Sequence, residues 1–524
     1  MHSDQDGGSA VPVPDSPGDA GPPNRRYGAV VSRLRVTSNG RVVPDGRAAH
    51  AEQPAVEPAA ECAAGPFRAD PDRLSATLSE LARKHRIPGA QVAIHYGGET
   101  VAGEVGELEY GTGRPVTKDV AFPIGSISKS FTATAAMILV ADGDLELDAP
   151  LSEYLPELGN HSADLAAQLT LRQLLSHTSG LTDGPEEVAA ASLQRYVLDH
   201  CRDPELVLPP GTGFSYSNVG YVLAGHLVEV ITGMSWWEAV ESIVLRPLRI
   251  EPTFIVAPEP GMSERPIAAG HSVNASVGRT RPVEQSMALA EAPAGALAVS
   301  AVDLVALGLT HVDGATPTLL PTSYAEQMRE AIPTAEPFGL ADGWGLGLAT
   351  FQNGNTAWVG HDGNANGTAC YLRVDPIEGC VVAFTSNANR GVDMWQELVT
   401  ELSRMGLPIK NYSATEALGP TTVPLSGCVG TYWNGDIEYT VSAGKNGTCR
   451  LAIDGETVAR LEFHEGLIFA QHDPNSGQFV QVGRFVRDPI TGDLDLIQIA
   501  GRLGRRQIPD AYEERKMQAR AIAV

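Results

Sequence analysis

Residues 125–144 read Gly125-Ser126-Ile127-Ser128-Lys129-Ser130 and then FTATAAMILVADGD. Apolar Ile127, Phe131, Ala135, Met137, Ile138 and Val140 give this stretch a helical period with a buried side, and Gly143 closes it. A helix beginning at Ser126 places the serine hydroxyl at the positive end of the helix dipole. Lys129, three residues on, then lies one turn further along the same face and within reach of Ser126. A serine hydroxyl is a poor nucleophile until a neighbour takes its proton, and a lysine in a partly desolvated pocket has its pKa lowered toward that task. The four-residue spacing by itself occurs in many helices, so its meaning depends on what else the chain offers.

Two other stretches supply that context. Residues 209–221, PPGTGFSYSNVGY, break the chain before an amphipathic helix expected over 221–232 and present side chains rather than burying them. Tyr216 and Asn218, two apart on an irregular loop, point into one cleft in this reading: a phenol beside a lysine cation ionises below its usual pKa of about 10 and serves as base, and an amide holds a substrate carbonyl. The plain alternative is a tyrosine that anchors a loop by its hydroxyl. Residues 358–367, WVGHDGNANG, run a strand into a glycine-rich turn. Gly363 lets a backbone approach closely, and the Asn364 N–H joins that of Ser126 as a pair of donors for an oxyanion. His361 at a strand end is equally the mark of a hydrogen-bonded structural residue. No HExxH or second His/Asp cluster completes a metal site around it, and no metal or cofactor is expected.

In this order the SxxK, YxN and HxG elements resemble the serine β-lactamase and penicillin-binding-protein superfamily, in particular its class C β-lactamase-like branch. LLSHTSGL (174–181), Arg246-Pro247-Leu248, PAGAL (293–297) before SAVDL (300–304), and GWGLG (343–347) extend the resemblance over about residues 70 to 406. The resemblance implies Ser126 as the acylated nucleophile, Lys129 as its proton partner and Tyr216 as general base or acid. It implies Asn218, His361, Gly363 and Asn364 as substrate-binding residues, and His177 and Thr178 as family structure. His361 stands where β-lactamases carry the lysine of a KTG motif. A histidine there is mostly neutral at pH 7, so recognition of a free carboxylate is weakened and β-lactam hydrolysis falls last among the expected activities. Branch members with HxG include D-aminopeptidases, D-amino-acid amidases, esterases and thioesterases that cyclise peptides. The implied function is a serine acyl-enzyme hydrolase or acyltransferase cleaving an amide, ester or thioester of an amino-acyl or peptidyl substrate, D-aminopeptidase-like first. Transfer to an amine and a non-catalytic receptor for peptidoglycan fragments or β-lactams are the alternatives.

Outward from these motifs, leucines at helical spacing mark a helix over 73–85, and QVAIHY and TVAGEVG flank Gly97-Gly98 as a hairpin. From 126 to 310 the pattern is mostly helical. Strands return at 345–351, 357–360, 368–374 and 380–386, followed by a helix at 392–405. Strands drawn from both ends with helices between them predict an α/β (α+β) β-lactamase-like domain over 69–408: an antiparallel sheet flanked by helices, with an all-helical insertion. A linker over 409–425 leads to short alternating strands over 426–510, a small lipocalin-like β-barrel or a sandwich. In that domain Tyr432, Trp433 and Tyr439 read as core. A loop of it covering the cleft would restrict substrate size.

The Pro-, Gly- and Ala-rich residues 1–68 predict a disordered leader, and 511–524 a tail. The N-terminus is acidic where a signal peptide is basic and then apolar, so a cytoplasmic protein is expected. With 38 Lys and Arg against 63 Asp and Glu in 524 residues, the net charge of −25 argues against nucleic-acid or anionic-membrane partners and leaves a small-molecule or peptide acyl substrate. The six cysteines are far apart with no CxxC pair and read as buried free thiols.

Overall fold

The computed structural model describes residues 67–506 except 68–69, 184–189, 191, 202–205, 259–264, 276, 316–318, 354–355, 426, 445–446 and 489–491. The expected leader, apart from Phe67, and the expected tail lie outside the described residues. Asp70 caps helix α1 (Pro71–His85) by accepting from the N–H groups of Asp72 and Arg73, and Pro71 opens its first turn. The hairpin β1 (Gly89–Tyr96) and β2 (Glu99–Gly106) follows. Helices α2 (Ser128–Asp142) and α3 (Asn218–Thr232) come next, then α4 (Ala301–Leu309), whose cap is the reciprocal Ser300–Asp303 pair. The chain returns to the sheet as β3 (Gly343–Trp344), β4 (Ala349–Asn353), β5 (Thr356–Gly363), β6 (Ala369–Asp375) and β7 (Cys380–Ser386), and ends the domain with α5 (Gly391–Arg404).

The strands form one antiparallel sheet in the order β2-β1-β7-β6-β5-β4-β3, so the first hairpin pairs with the last strand and closes the domain across its whole sequence. β6 and β7 are buried along their full length because the sheet is covered on both faces. Their side chains alternate accordingly. Tyr371, Val382 and Phe384 join α1 and α5 in one core, whereas Leu372, Val381 and Ala383 join α4 and the helical region in the other. The helical stretch between residues 126 and 310 differs from the expectation in holding a hairpin (Gly270–Asn274 with Arg279–Val283) and a short pair (Phe122–Pro123 with Ala298–Val299). α3 is buried almost all round rather than amphipathic, since Val219 to Val228 are enclosed on every side by neighbouring helices.

Eight further strands, β8 (Gly430–Asn434), β9 (Ile437–Ala443), β10 (Cys449–Ile453), β11 (Glu456–Phe463), β12 (Ile468–His472), β13 (Phe479–Val486), β14 (Leu496–Ile499) and β15 (Arg502–Arg506), pair in sequence, and β8 closes on β15. This is a closed up-and-down barrel, which leaves no free edge. Tyr432, Phe463, Phe469 and Phe485 fill its interior with ring contacts, so it is packed rather than hollow. The 409–425 stretch is not a loose tether. Ile409 is buried and the Tyr412 hydroxyl accepts the Gly339 N–H. Five cysteines are free and buried; Cys62 lies outside the described residues. Among the described residues no helix is long and apolar enough to cross a membrane.

Candidate active site

Ser126 does not open the α-helix. It sits on a 3-10 turn, Gly125–Ile127, that leads into α2. The tighter turn still lets Lys129 reach back: its Nζ donates to Ser126 Oγ at 3.2 Å and to the Ala294 carbonyl at 2.8 Å. The second bond comes from the short helix Ala292–Gly295, so the PAGAL stretch aims the lysine. Lys129 is fully buried, and burial lowers its pKa to about 7 against the opposing pull of Asp183 and Glu291. A neutral amine is therefore available next to the serine hydroxyl at neutral pH.

Tyr216 approaches from the opposite wall and hydrogen-bonds Ser126, with its ring centroid 5.1 Å from Lys129 Nζ. Of base and acid, burial favours the acid. Burial raises the Tyr216 pKa well above its ordinary value, and the hydrogen bond to Ser126 and the Arg502 charge do not offset it. Tyr216 stays protonated, and Lys129 is the group that can accept a proton.

The loop bearing Tyr216 is fixed by LLSHTSGL. The Ser215 N–H donates to the His177 carbonyl, the Ser217 N–H to His177 Nδ1 at 3.1 Å, and the Gly211 N–H to the Thr178 carbonyl. The His177 ring stacks on Tyr216 at 4.1 Å, and burial holds it neutral. His177 thus positions the phenol from behind. Asn218 is not on the irregular loop with Tyr216: it is the first residue of α3, behind the cap Ser217, and its backbone N–H donates to Asp183 Oδ1 at 2.6 Å. Both residues nevertheless line the same cleft.

β5 brings the HxG element against the serine turn. A Cβ at Gly363 would lie 1.9 Å from the Ile124 carbonyl oxygen and 3.0 Å from the Ile127 nitrogen, so only glycine lets this strand touch the turn. A Cβ at Gly125 would meet Asn364 O at 2.1 Å and Asn364 N at 2.9 Å, which puts the Asn364 backbone beside Ser126. His361 is buried, with Nδ1 directed to the Asp362 carbonyl at 2.6 Å and Nε2 without a hydrogen-bond partner among the described residues. Burial, Lys129 and Arg373 lower its pKa to about 3, so it carries no charge at all in the neutral range.

Sequence reading missed the cation that this neutral histidine leaves out. Arg502, at the start of the last barrel strand, sits with its guanidinium carbon 5.0 Å from the Tyr216 ring centroid and lines the cleft. Its Nε pairs with buried Asp183 at 2.5 Å, which tethers it to the same carboxylate that holds Asn218. The barrel clamps this region further: the Tyr216 N–H donates to the Gly501 carbonyl, the Leu503 N–H to Ser215 Oγ, and Asn434 bridges Ser215, Asp183 and Leu503. An alternating strand such as DLIQIAGRLGRR carries no sign that one arginine leaves the barrel for a site near residue 126. Asp183 lies two residues past LLSHTSGL, and that proximity is the only signal the sequence held.

Ser126, Tyr216, Asn218, His361, Asn364 and Arg502 face one cleft of about 890 Å³ that continues between α5 and the barrel. Fold and cleft define a serine hydrolase. The Beta-lactamase family matches residues 74–400, more than half of the chain, and the chain belongs to that family. Penicillin-binding protein 4 of Amycolatopsis lactamdurans is 32% identical over 361 residues, covering 66% of this chain and 94% of that protein. Crystal structures of SurE superpose with a TM-score of 0.75 at 39% identity and, with D-Leu, of 0.73 at 38% identity; each covers 83% of this chain, and they are matched over 98% and 99% of their own length. The D-amino acid amidase from Ochrobactrum anthropi with D-phenylalanine has a TM-score of 0.55 at 26% identity, covering 64% of this chain and 99% of its own.

Proposed function

We propose that the protein forms an acyl-enzyme on Ser126 from an amide, ester or thioester of a D-configured amino-acyl or peptidyl group, and passes that group to water or an amine. The observation that carries this reading is the 3.2 Å contact of Lys129 Nζ with Ser126 Oγ, made by an amine whose pKa burial has brought to about 7. Support for the D-configuration comes from the SurE structure with D-Leu and from the likeness to a D-amino acid amidase. Likeness to SurE extends over a larger share of the chain than likeness to the amidase, a share that the 74–400 region alone does not fill. That favours a substrate seen by cleft and barrel together.

In the mechanism, neutral Lys129 takes the Ser126 proton as Oγ attacks the carbonyl carbon. The backbone N–H groups of Ser126 and Asn364 hold the oxyanion, the interaction that contributes most in acyl transfer. The protonated Tyr216 phenol gives its proton to the leaving group and recovers one from the Lys129 ammonium. The Asn218 amide orients the substrate, and Arg502 supplies the fixed positive charge that His361 cannot. The same relay run backward activates the acceptor and frees Ser126. Intact-mass measurement with paired D- and L-amino-acyl amides, esters and thioesters tests the reading. Acyl adducts on the wild-type chain, faster from D donors and absent in Ser126→Ala, are expected. No adduct from any donor, or an adduct that persists in Ser126→Ala, contradicts it.

A further inference from the structure

Glu291 has no part in the steps above, yet it lines the same cleft. It closes the 3-10 turn Leu289–Glu291 directly ahead of the short helix that holds Lys129, and that turn rests on α3 and on the helix Leu193–Cys201. Its chain neighbours Ala290 and Ala292 are fully buried. The carboxyl accepts one backbone hydrogen bond, from Ala288, and among the described residues no Lys or Arg forms an ion pair with it. Groups that feel its charge are Lys129, Asp183 and Tyr196. Lys129 is the one attractive charge among them, and it is lost as Lys129 gives up its proton near neutral pH; Asp183 repels the carboxylate and is committed to Arg502 and Asn218, and the Tyr196 phenol is held neutral by burial. Burial accordingly raises the Glu291 pKa to about 7.

A carboxylate partly drawn out of water without a counter-ion is relieved in two ways, by taking up a proton or by a cation that shares the site, and Glu291 opens onto the cleft from which such a cation can come. We propose that Glu291 is an ammonium subsite of the cleft, where its carboxylate receives a primary amino group of the substrate. This rests on the acyl-enzyme reading and adds the chemistry of one more substrate group to it. The amine has two sources, the amino group of the acyl donor and the amine that accepts the acyl group. In the second case the ammonium gives one proton to Glu291, its nitrogen forms the bond to the acyl carbon, and the bond from that carbon to Ser126 Oγ breaks. The second amine proton returns to Ser126 Oγ through Tyr216 and Lys129.

The test compares wild type, Glu291→Gln and Glu291→Asp on thioesters of D-phenylalanine and of N-acetyl-D-phenylalanine, following thiol release, with propylamine added in a parallel series and products weighed. Two ratios are read: kcat/KM for the free-amine over the acetylated donor, and aminolysis over hydrolysis of the acyl group. Glu291→Gln is expected to lower one of them at least tenfold, with Glu291→Asp between it and wild type. A fall in the first ratio places the donor amine at Glu291, and a fall in the second places the acceptor. Both ratios within twofold of wild type overturn the proposal. Absence of thiol release by wild type from every donor overturns instead the acyl-enzyme reading beneath it.

Discussion

The two walls of the cleft were built in different ways. On one side the serine turn and α2 place Ser126 and Lys129 three residues apart, and local helical geometry does the rest. On the other side Arg502 arrives from a strand more than 370 residues away and reaches Tyr216 only because the whole barrel is docked through Asn434, Gly501 and Leu503. The first wall is a local fact of sequence and the second a tertiary one. They meet at Tyr216, whose phenol is hydrogen-bonded to Ser126 and faced by the Arg502 guanidinium.

The largest expected effect comes from separating β5 from the serine turn. Gly363→Ala puts a methyl 1.9 Å from the Ile124 carbonyl, so turn or strand has to shift. A displacement on the order of 1 Å at reacting groups lowers rates about 100-fold. kcat/KM on the best donor should fall at least that far in a variant whose circular dichroism is unchanged.

On the barrel side, Arg502→Gln leaves Asp183 buried without its counter-ion. Breaking one partner of a buried pair destabilises by about 3–5 kcal/mol. The double variant Asp183→Asn with Arg502→Gln should recover most of that stability in urea unfolding, but not turnover, which we expect roughly tenfold below wild type on the order of one lost charge-assisted contact. If the double variant recovers turnover as well, Arg502 only holds the barrel in place. The smallest effect belongs to Asn434→Ala, which removes the amide that joins barrel to loop. It should lower stability by about 1–3 kcal/mol, as buried polar deletions do, and raise KM more than it changes kcat.

The same contrast explains what the sequence disclosed. The sheet strands were legible because β6 and β7 each open on an apolar run, ACYL before Arg373 and CVVAF before Thr385, and the barrel because its strands alternate at short intervals. The helix start was misplaced at Ser126, since a 3-10 turn and an α-helix share the same apolar spacing over three residues. Of the two roles open to Tyr216, base or acid, the lysine charge beside it favours the first and its burial, which no sequence pattern shows, favours the second by raising its pKa. Asn218 was put in a loop because a Ser cap reads like a turn residue until its hydrogen bond to the Gly220 N–H is seen. Arg502 and Asp183 were illegible because pairing across 319 residues leaves no periodicity to read.

The central claim is that Lys129, its pKa brought to about 7 by burial, draws the proton from Ser126. The pH dependence of the acylation rate constant, followed by thiol release under single turnover, tests it directly. A base must be unprotonated to act, so the rate should climb tenfold per pH unit below about 7 and level off above it. A rate that is flat from pH 5 to 8, or that continues to rise toward pH 10, would contradict the account.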